Sequence, residues 1–358
     1  MSDMLITMCV IAYNEEQNIN GILECIKNQD YDHNNMEVVL VDGASIDNTR
    51  ALMCEFALDN KDEFRRVVVL DNPKKTLPSG WNVALREYKG DAIIKVDAHA
   101  VIPEDFVSKN VRVLETGEYI CGGQRPNIID KPTPFKETLL LAESSMFGSS
   151  IASYRNNPGK TYVKSLFHAA YRREVFEKVG FFNEELVRTE DNEIHYRMRK
   201  AGYKLCFDPD IISYQYTRSS LKAMLKQKYA NGYWIGKTSK VCPKCLSIYH
   251  FVPFAFVSAI IASGSVIGAT GLAECIKKRH NHTLGKGISA LRKVTVVLTT
   301  VMWVLYALMA SGMAAVSAFK AEDKRNITNA CLPVLFLLLH LSYGIGTIAG
   351  LMDKSKRG

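Results

Sequence analysis

The triplet Asp97-Ala98-His99 brings together two side-chain types that could hold a divalent metal ion. It directly follows an apolar, strand-like segment, and residues two apart on a strand point to the same side, so both side chains can reach one ion. A carboxylate and an imidazole are compatible with Mn²⁺, or with Mg²⁺ when several water ligands remain. Such an ion could bridge two phosphates and neutralise the charge on a departing nucleoside diphosphate. The alternative is that both side chains only make hydrogen bonds in a turn.

A second candidate is the triplet Thr189-Glu190-Asp191, which opens a segment with helical spacing. Ile194 and Met198 share one face of this segment, and Gly202 ends it. The helix dipole favours an ionised carboxylate near the N-terminus, so Asp191 could be a general base for a hydroxyl nucleophile. From the spacing alone, capping of the helix by these residues is the favoured interpretation. We expect the polar side chains further along to form a solvated helix surface: Glu193, His195, Arg197 and Arg199.

The segment 227–234 (QKYANGYW) is rich in aromatic residues and lies just before the apolar last third of the chain. Aromatic side chains at this position could form a belt at a membrane interface. They could equally form a lid over a binding site, and the residues alone leave both interpretations open.

The candidate residues follow apolar segments that predict strands. Continuous Val/Ile/Leu runs alternate with helical patterns, which predicts an α/β fold with a doubly wound, mostly parallel sheet covered on both faces. Ligands bind at the carboxyl ends of the strands in such sheets. Neither of the glycine-rich fingerprints GxGxxG and GxxxxGK[ST] follows the first run, so we expect neither a dinucleotide site nor a P-loop. The predicted strands are 5–12, 38–41, 67–70 and 92–96, and polar clusters follow three of them at 13–16, 42–47 and 97–99.

The charge distribution divides the 358-residue chain into two parts. After residue 246 there are twelve Lys and Arg against four Asp and Glu, whereas the preceding residues contain 33 of each sign, so the net charge of +8 lies in the last third. That third also contains three uncharged runs, at 247–273, 294–319 and 327–352, each longer than the roughly 20 residues that cross a bilayer. The sequence therefore predicts a soluble domain followed by an α-helical membrane domain.

The number of crossings depends on the first of these runs. Three full crossings would place the loop 274–293, with six Lys and Arg, on the side opposite the soluble domain, against the positive-inside rule. Pro253 and the glycines at 264, 268 and 271 suggest that 247–273 is instead re-entrant or interfacial. We therefore expect two or three membrane helices, with the loop 274–293 on the cytoplasmic side.

Taken together, the motifs resemble those of the inverting family 2 glycosyltransferases with the GT-A fold, and among them the succinoglycan-biosynthesis type. The resemblance covers roughly residues 4–236 and keeps the order of the motifs. The segments that carry it are 12–15 (AYNE), 41–45 (VDGAS) with 47–49 (DNT), 78–82 (PSGWN), 97–100 (DAHA), 153–159 (SYRNNPG) and 189–191 (TED). One departure is the lack of a basic residue near Ala230, which such enzymes use for the diphosphate.

The resemblance implies roles for individual residues. Asp191 would be the catalytic base, which replaces the capping interpretation, and Asp97 and His99 would hold Mn²⁺ or Mg²⁺. Glu190, Gln227 and Trp234 would belong to the acceptor side or to a lid. The residues implied in binding the donor nucleotide are Ala12, Tyr13, Asn14, Glu15, Asp42, Ser45, Asn82 and Asp97.

The implied activity is the transfer of one sugar from a nucleotide-diphosphate sugar, with UDP favoured by the resemblance, to a hydroxyl of a polyprenyl-diphosphate-linked saccharide in exopolysaccharide or capsule synthesis. We expect a multi-pass protein of the cell membrane, with a cytoplasmic catalytic domain (1–236), an interfacial linker (237–246) and a membrane domain (247–358). We expect no nucleic-acid partner. Two alternatives are a polyprenyl-phosphate sugar synthase and a non-enzymatic scaffold subunit of a polysaccharide assembly complex.

Overall fold

The computed structural model describes residues 3–148, 159–279, 285–321 and 326–354. Most of the predicted motif 153–159 lies outside these residues. The centre of the molecule is an eight-stranded sheet in the order β3-β2-β1-β4-β9-β6-β10-β8. Its strands are β1 (Ile6–Ala12), β2 (Met36–Asp42), β3 (Arg66–Asp71), β4 (Ala92–Asp97), β6 (Ile120–Gln124), β8 (Thr161–Val163), β9 (Ala169–Arg172) and β10 (Leu205–Ile212).

The first four strands are all parallel to one another, and they place the candidate residues. Strand β1 pairs in parallel with β2 on one side and β4 on the other, in a register that sets Ala12 opposite Asp42 and Ile11 opposite Asp97. Because these strands run in the same direction, their polar C-terminal residues meet at one edge. Strand β9 runs antiparallel between β4 and β6. The predicted α/β fold with a mostly parallel sheet is confirmed.

Helices cover both faces of the sheet because each presents one apolar side to it. Ile22, Ile26 and Phe106 belong to the core on one face, and Trp81 and Met198 to the core on the other. The helices of this part of the chain are α1 (Ile19–Lys27), α2 (Thr49–Asp59), α3 (Leu77–Glu87), α4 (Phe106–Glu115), α5 (Pro134–Ser144), α6 (Arg173–Val179) and α7 (Glu190–Lys200).

A small second sheet lies beside the end of β4. It has the order β5-β11-β7, from β5 (Ala100–Val101), β11 (Tyr214–Tyr216) and β7 (Asn127–Ile128). The register pairs Gln215 of β11 with Ala100, the residue after His99. This sheet therefore brings a segment from late in the chain to the candidate metal residues.

Four long helices follow: α8 (Leu221–Val241), α9 (Val252–Arg279), α10 (Lys286–Lys320) and α11 (Leu332–Met352). The predicted domain boundary at residue 236 falls inside α8, which runs on until the segment around Pro243 ends it. The division into domains stays a prediction. Three helical segments in the described residues are long and apolar enough to cross a membrane: Ile248–Arg279, Lys286–Lys320 and Ile327–Met352.

Helix α11 differs from α9 and α10 in what surrounds it. Of its most apolar window, 39% is buried inside the protein, against 6% for each of the other two. Leu335 and Phe336 share a core cluster with Leu139 of α5 and Met224 of α8. Helix α11 is therefore packed against α5, which belongs to the α/β part of the chain, and α8, which follows it.

Candidate functional site

Hydrogen bonds connect the loops that follow β1 and β2. The backbone N–H of Asn14 donates to Ser45 Oγ at 3.0 Å, and the N–H of Ile46 donates to Asn14 Oδ1 at 2.9 Å. Asn14 has a φ of 54°, a left-handed conformation that asparagine tolerates better than most residues. The structure therefore brings together two residues that the sequence places 31 positions apart.

Asp42 is the last residue of β2, where the second of these loops begins, and is only 1% exposed. Its carboxylate accepts a hydrogen bond from the backbone N–H of Ser45, with Oδ2 at 3.1 Å. Ala12 is buried at the end of β1, whereas Tyr13 is 46% exposed beside it. These predicted donor residues thus form one contiguous group at the carboxyl edge of the sheet, and their role in binding a nucleotide stays a prediction.

Asn82 is buried on α3, and its amide is occupied by a neighbouring segment. Its Nδ2 donates to the Phe182 carbonyl at 3.0 Å and to Glu184 Oε1 at 2.9 Å, while the N–H of Phe182 donates to its Oδ1 at 2.8 Å. Asn82 therefore fastens the segment 182–184 to α3. Its predicted donor role is not tested by this arrangement.

His99 makes two contacts at the end of β4. Its Nδ1 lies 3.3 Å from Glu15 Oε1, and its Nε2 lies 3.3 Å from Gln215 Nε2. The carboxylate of Glu15 raises the pKa of His99 above its ordinary value, although burial opposes this. Gln215 was not predictable from the sequence, because no local pattern indicates that β11 pairs beside residue 100.

The two nearby carboxyl groups are both stabilised in their ionised form. Burial would raise the pKa of Asp97, but His168, His99 and Lys95 outweigh it and hold that pKa below its usual range. Burial likewise opposes ionisation of Glu15, yet its hydrogen bonds to His99 and Asn18 lower its pKa. Two ionised carboxylates, those of Asp97 and Glu15, therefore lie near the imidazole of His99 at the end of β4.

His168 supports Asp97 from behind. Its Nε2 accepts a hydrogen bond from the Asp97 backbone N–H at 3.3 Å and lies 3.7 Å from Asp97 Oδ2, which is too long for a hydrogen bond. Its Nδ1 lies 2.8 Å from Ser213 Oγ. Burial lowers the pKa of His168, although the carboxylate of Asp97 opposes this.

The donor types at the end of β4 fit a divalent cation such as Mn²⁺ or Mg²⁺. Asp97 offers an ionised carboxylate, and His99 on the same strand end offers an imidazole nitrogen. Among the residues that the structure describes, no three His, Cys, Asp or Glu side chains are arranged to hold a metal ion by themselves. An ion here would therefore need further ligands from water or phosphate oxygens.

Asp191, at the start of α7, reaches Lys95 on the central strand β4. Its Oδ1 is paired with Nζ of Lys95, and Glu190 Oε1 lies 3.9 Å from the same ammonium. Thr189 makes no capping hydrogen bond with its side chain and is instead bonded to the Thr238 hydroxyl of α8. The interpretation that Thr189 caps the helix is therefore wrong.

The expectation of a solvated surface on α7 is wrong for two residues. His195 is 0% exposed, with Nε2 at 2.8 Å from the Tyr171 hydroxyl and Nδ1 at 3.0 Å from Ser165 Oγ. Burial lowers the pKa of His195 to about 4. Glu193 is also buried and pairs with Arg197 at 2.7 Å. Both buried side chains are tolerated because they have polar partners: His195 from two other segments, and Glu193 from one turn along the same helix.

The predicted acceptor or lid residues Gln227 and Trp234 lie on α8, where Trp234 is largely buried. No basic residue occupies position 230, but Arg188 donates to Asn231 Oδ1 at 3.2 Å and so brings a guanidinium to this helix. Lys228 is buried in a pair with Glu143 at 3.1 Å. Arg188 was not predictable from the sequence, because its partner Asn231 lies 43 residues away.

Comparison with known proteins finds similar sequences and a similar fold. The family described as Glycosyl transferase family 2 matches residues 7–180. A glucuronosyltransferase of Methanococcus voltae, whose name specifies a dolichyl N-acetyl-glucosaminyl phosphate, is 26% identical over 72% of this chain and 80% of its own length. The succinoglycan biosynthesis protein ExoA of Rhizobium meliloti is 28% identical over 64% of this chain and 68% of its own length.

A solved structure has a related fold. The mannosyltransferase PcManGT of Pyrobaculum calidifontis, solved with GDP-Man and Mn²⁺, has a TM-score of 0.58 and 18% identity, over 98% of this chain and 88% of that one. The resemblance predicted from the motifs, including that to the succinoglycan type, is confirmed. Residues 7–180 therefore form a glycosyltransferase family 2 domain, which carries a GT-A-type sheet and has a named glycosyltransferase among its relatives.

Proposed function

We propose that this enzyme is a membrane-attached inverting glycosyltransferase that moves one sugar from a nucleoside-diphosphate sugar, with UDP as the nucleotide, to a hydroxyl of a polyprenyl-diphosphate-linked saccharide. One observation carries the proposal. Strand β4 presents Asp97 toward the donor loops and Lys95, two residues earlier, to the carboxylate of Asp191. Candidate donor and acceptor groups therefore meet at one strand end.

The donor side is built from the loops after β1, β2 and β4. The group around Asn14, Asp42 and Ser45 would hold the base and ribose by hydrogen bonds. Asp97 and His99 would hold a divalent ion that neutralises charge on the departing diphosphate. PcManGT, which shares the fold, was solved with a nucleotide sugar and Mn²⁺, and this supports a metal-dependent donor site.

Asp191 would act on the acceptor. Its carboxylate takes the proton from the acceptor hydroxyl while the oxygen attacks the anomeric carbon on the face opposite the diphosphate. The bond from that carbon to the diphosphate oxygen breaks as the new glycosidic bond forms, so the configuration inverts.

The membrane attachment supports a lipid-linked acceptor. The relative from M. voltae is named for a dolichyl-linked substrate and the one from R. meliloti for succinoglycan biosynthesis. Three segments long and apolar enough to cross a bilayer follow the catalytic part of this chain. Because nucleotide sugars are cytosolic, we place the catalytic part on the cytoplasmic side of the cell membrane.

The test replaces Asp191 by Asn in the full chain purified in detergent. We expect unchanged binding of the donor, chosen from a panel of UDP-, GDP- and dTDP-sugars with Mn²⁺, and a loss of transfer to extracted membrane lipid of about 10²- to 10⁴-fold. Asp62→Asn, an exposed carboxylate before β3 and away from the carboxyl edge, is the matched control.

Retention of full turnover by Asp191→Asn would remove Asp191 from the role of base. It would instead favour a polyprenyl-phosphate sugar synthase, because an ionised lipid phosphate needs no base. No binding of any nucleotide sugar by folded protein would favour the scaffold alternative.

A further inference from the structure

Lys95 is a buried lysine in the central strand for which the proposed reaction has not yet given a role. It lies in β4, within an otherwise apolar run, and is 5% exposed. Its ammonium is flanked by the rings of Trp81 and Phe182, with centroids at 5.3 Å and 5.9 Å. A charge in such surroundings is costly unless a partner compensates it.

The compensating partners are the two adjacent carboxyl groups at the start of α7. Lys95 Nζ pairs with Asp191 Oδ1 and lies 3.9 Å from Glu190 Oε1. Glu190 is 3% exposed, and its Oε2 has no hydrogen-bond partner among the described residues. Burial and the neighbouring carboxylate of Asp191 raise the pKa of Glu190 above its usual range. The ammonium therefore serves chiefly to compensate Asp191.

The contact also restricts the orientation of the Asp191 carboxylate. One oxygen, Oδ1, is held by Lys95, while no hydrogen bond or ion pair among the described residues engages Oδ2. The side chain of Asp191 retains 19% exposure. Reactivity depends strongly on the angle at which a base meets its proton, so fixing one oxygen defines the approach to the other.

We propose that Lys95 is the positioning residue of the catalytic base: it holds Asp191 by Oδ1, compensates its charge, and leaves Oδ2 for the acceptor hydroxyl. This inference rests on the proposed function, since it assumes that Asp191 is the base. It assigns Lys95 to the acceptor half of the reaction, although the residue shares a strand with the candidate metal ligands.

The test measures four full-chain proteins in the transfer assay described above: Lys95→Met, Asp191→Asn, the double variant and the wild type. Lys95→Met should lower turnover at saturating donor by about 10- to 100-fold, since an unpositioned base loses its alignment. The KM of the nucleotide sugar should change less than about threefold, because Lys95 binds no part of the donor. In the Asp191→Asn background, Lys95→Met should cause no further loss.

Two further variants separate positioning from folding. Arg66→Met removes a cation paired with the buried Glu37, at the edge of the sheet opposite the site, and should lower the melting temperature without the loss of turnover. Lys95→Arg keeps the charge in a longer side chain and should recover part of the turnover. If Lys95→Met does not fold, Lys95→Arg carries the test: its smaller loss should also vanish in the Asp191→Asn background.

Two results would overturn the inference. Equal loss from Lys95→Met in both backgrounds would mean that Lys95 acts independently of Asp191. A raised donor KM with unchanged turnover would assign it to the donor side instead. Full turnover of Asp191→Asn is a separate result, because it overturns the proposed base and the role of Lys95 together.

Discussion

At the scale of single residues, the site depends on alternate positions of one strand. Lys95 and Asp97 point to the same face of β4, one toward the start of α7 and the other toward the donor loops. Behind Asp191, on the same helix, lies the buried histidine His195 with its partners Tyr171 and Ser165. The candidate base Asp191 is therefore backed by a largely buried polar layer.

This buried layer predicts a dependence of stability on pH. The pKa of His195 is lowered to about 4 in the folded state, against about 6.5 when unfolded, so the folded state binds fewer protons between these values. Its contribution is complete above pH 6.5 and is lost as the pH falls toward 4, up to about 3 kcal/mol. The melting temperature should fall accordingly between pH 7.5 and 4.5.

His195→Gln is the variant that checks this assignment. It should be less stable than the wild type at pH 7.5 but should lose less on acidification, since glutamine does not titrate. Part of the acid dependence should remain, because burial also lowers the pKa of His168. A fall in melting temperature as steep as that of the wild type would contradict a role for His195.

The sequence pointed to residues at the ligand edge but not to those that support them. Asp97, His99 and Asp191 were predicted because each follows an apolar segment or opens a helix. Lys95 had a visible signal, a lysine inside an apolar strand, but its partner is 96 residues away. Contacts over such separations depend on the tertiary fold, so local spacing could not supply them.

At the scale of elements, too, what has a local sequence pattern was predictable and what depends on the tertiary fold was not. The parallel strands were predictable because long Val/Ile/Leu runs bury both faces, whereas β9 and the small sheet are short and mixed in composition. Helix α8 was not predicted as one element either, and the predicted domain boundary at residue 236 falls inside it. Helix α8 connects the site with α11. Its Thr238 is hydrogen-bonded to Thr189 beside the candidate base, and its glycines contact α11.

The contact between α8 and α11 depends on glycine. A Cβ on Gly346 or Gly350 would come closer than 3.0 Å to the carbonyl oxygen of Tyr229 or Tyr233, as would one on Gly232 to that of Tyr343. Atoms cannot approach so closely, so a methyl group would force the two helices apart. Overpacking of this kind typically costs about 1–3 kcal/mol.

We therefore expect Gly346→Ala to lower the melting temperature and to reduce transfer, because α8 also holds Thr189. Gly312→Ala on α10, where a Cβ would meet no atom within 4 Å, is the matched control and should be neutral or slightly stabilising. Equal melting temperatures for the two variants would show that the close approach is not required.

At the scale of the whole molecule, the question is which helices enter the membrane. Helix α9 is continuous over 28 residues despite its glycines, and its antiparallel contacts with α10 include the Glu274–Arg292 pair and stacked Phe256 and Tyr306. Helix α11, by contrast, runs parallel to α8, which carries five lysines. Because lysines are costly in hydrocarbon, we predict that α8, and its neighbour α11 with it, lies outside the bilayer core.

In one arrangement α9 and α10 cross the membrane as a hairpin, and α11 stays on the side of the catalytic part. This arrangement also satisfies the positive-inside rule. Segments 237–246, 320–326 and 353–358 would supply nine Lys and Arg to the cytoplasmic side, against six in the loop 274–293 on the other side. The sequence alone suggested a re-entrant first run, because it gave no reason to remove α11 from the membrane.

Single-cysteine proteins distinguish these arrangements in intact cells. Native Cys275 lies near the end of α9 and Cys54 in the catalytic part on α2, and Gly358→Cys marks the C-terminus. A membrane-impermeant maleimide should label Cys275 from outside, and the other two only after permeabilisation. Protection of Cys275 would instead support a re-entrant first run, and labelling at position 358 from outside would mean that α11 crosses. Because the three positions report on different helices, one labelling series decides how many crossings connect the site to its membrane.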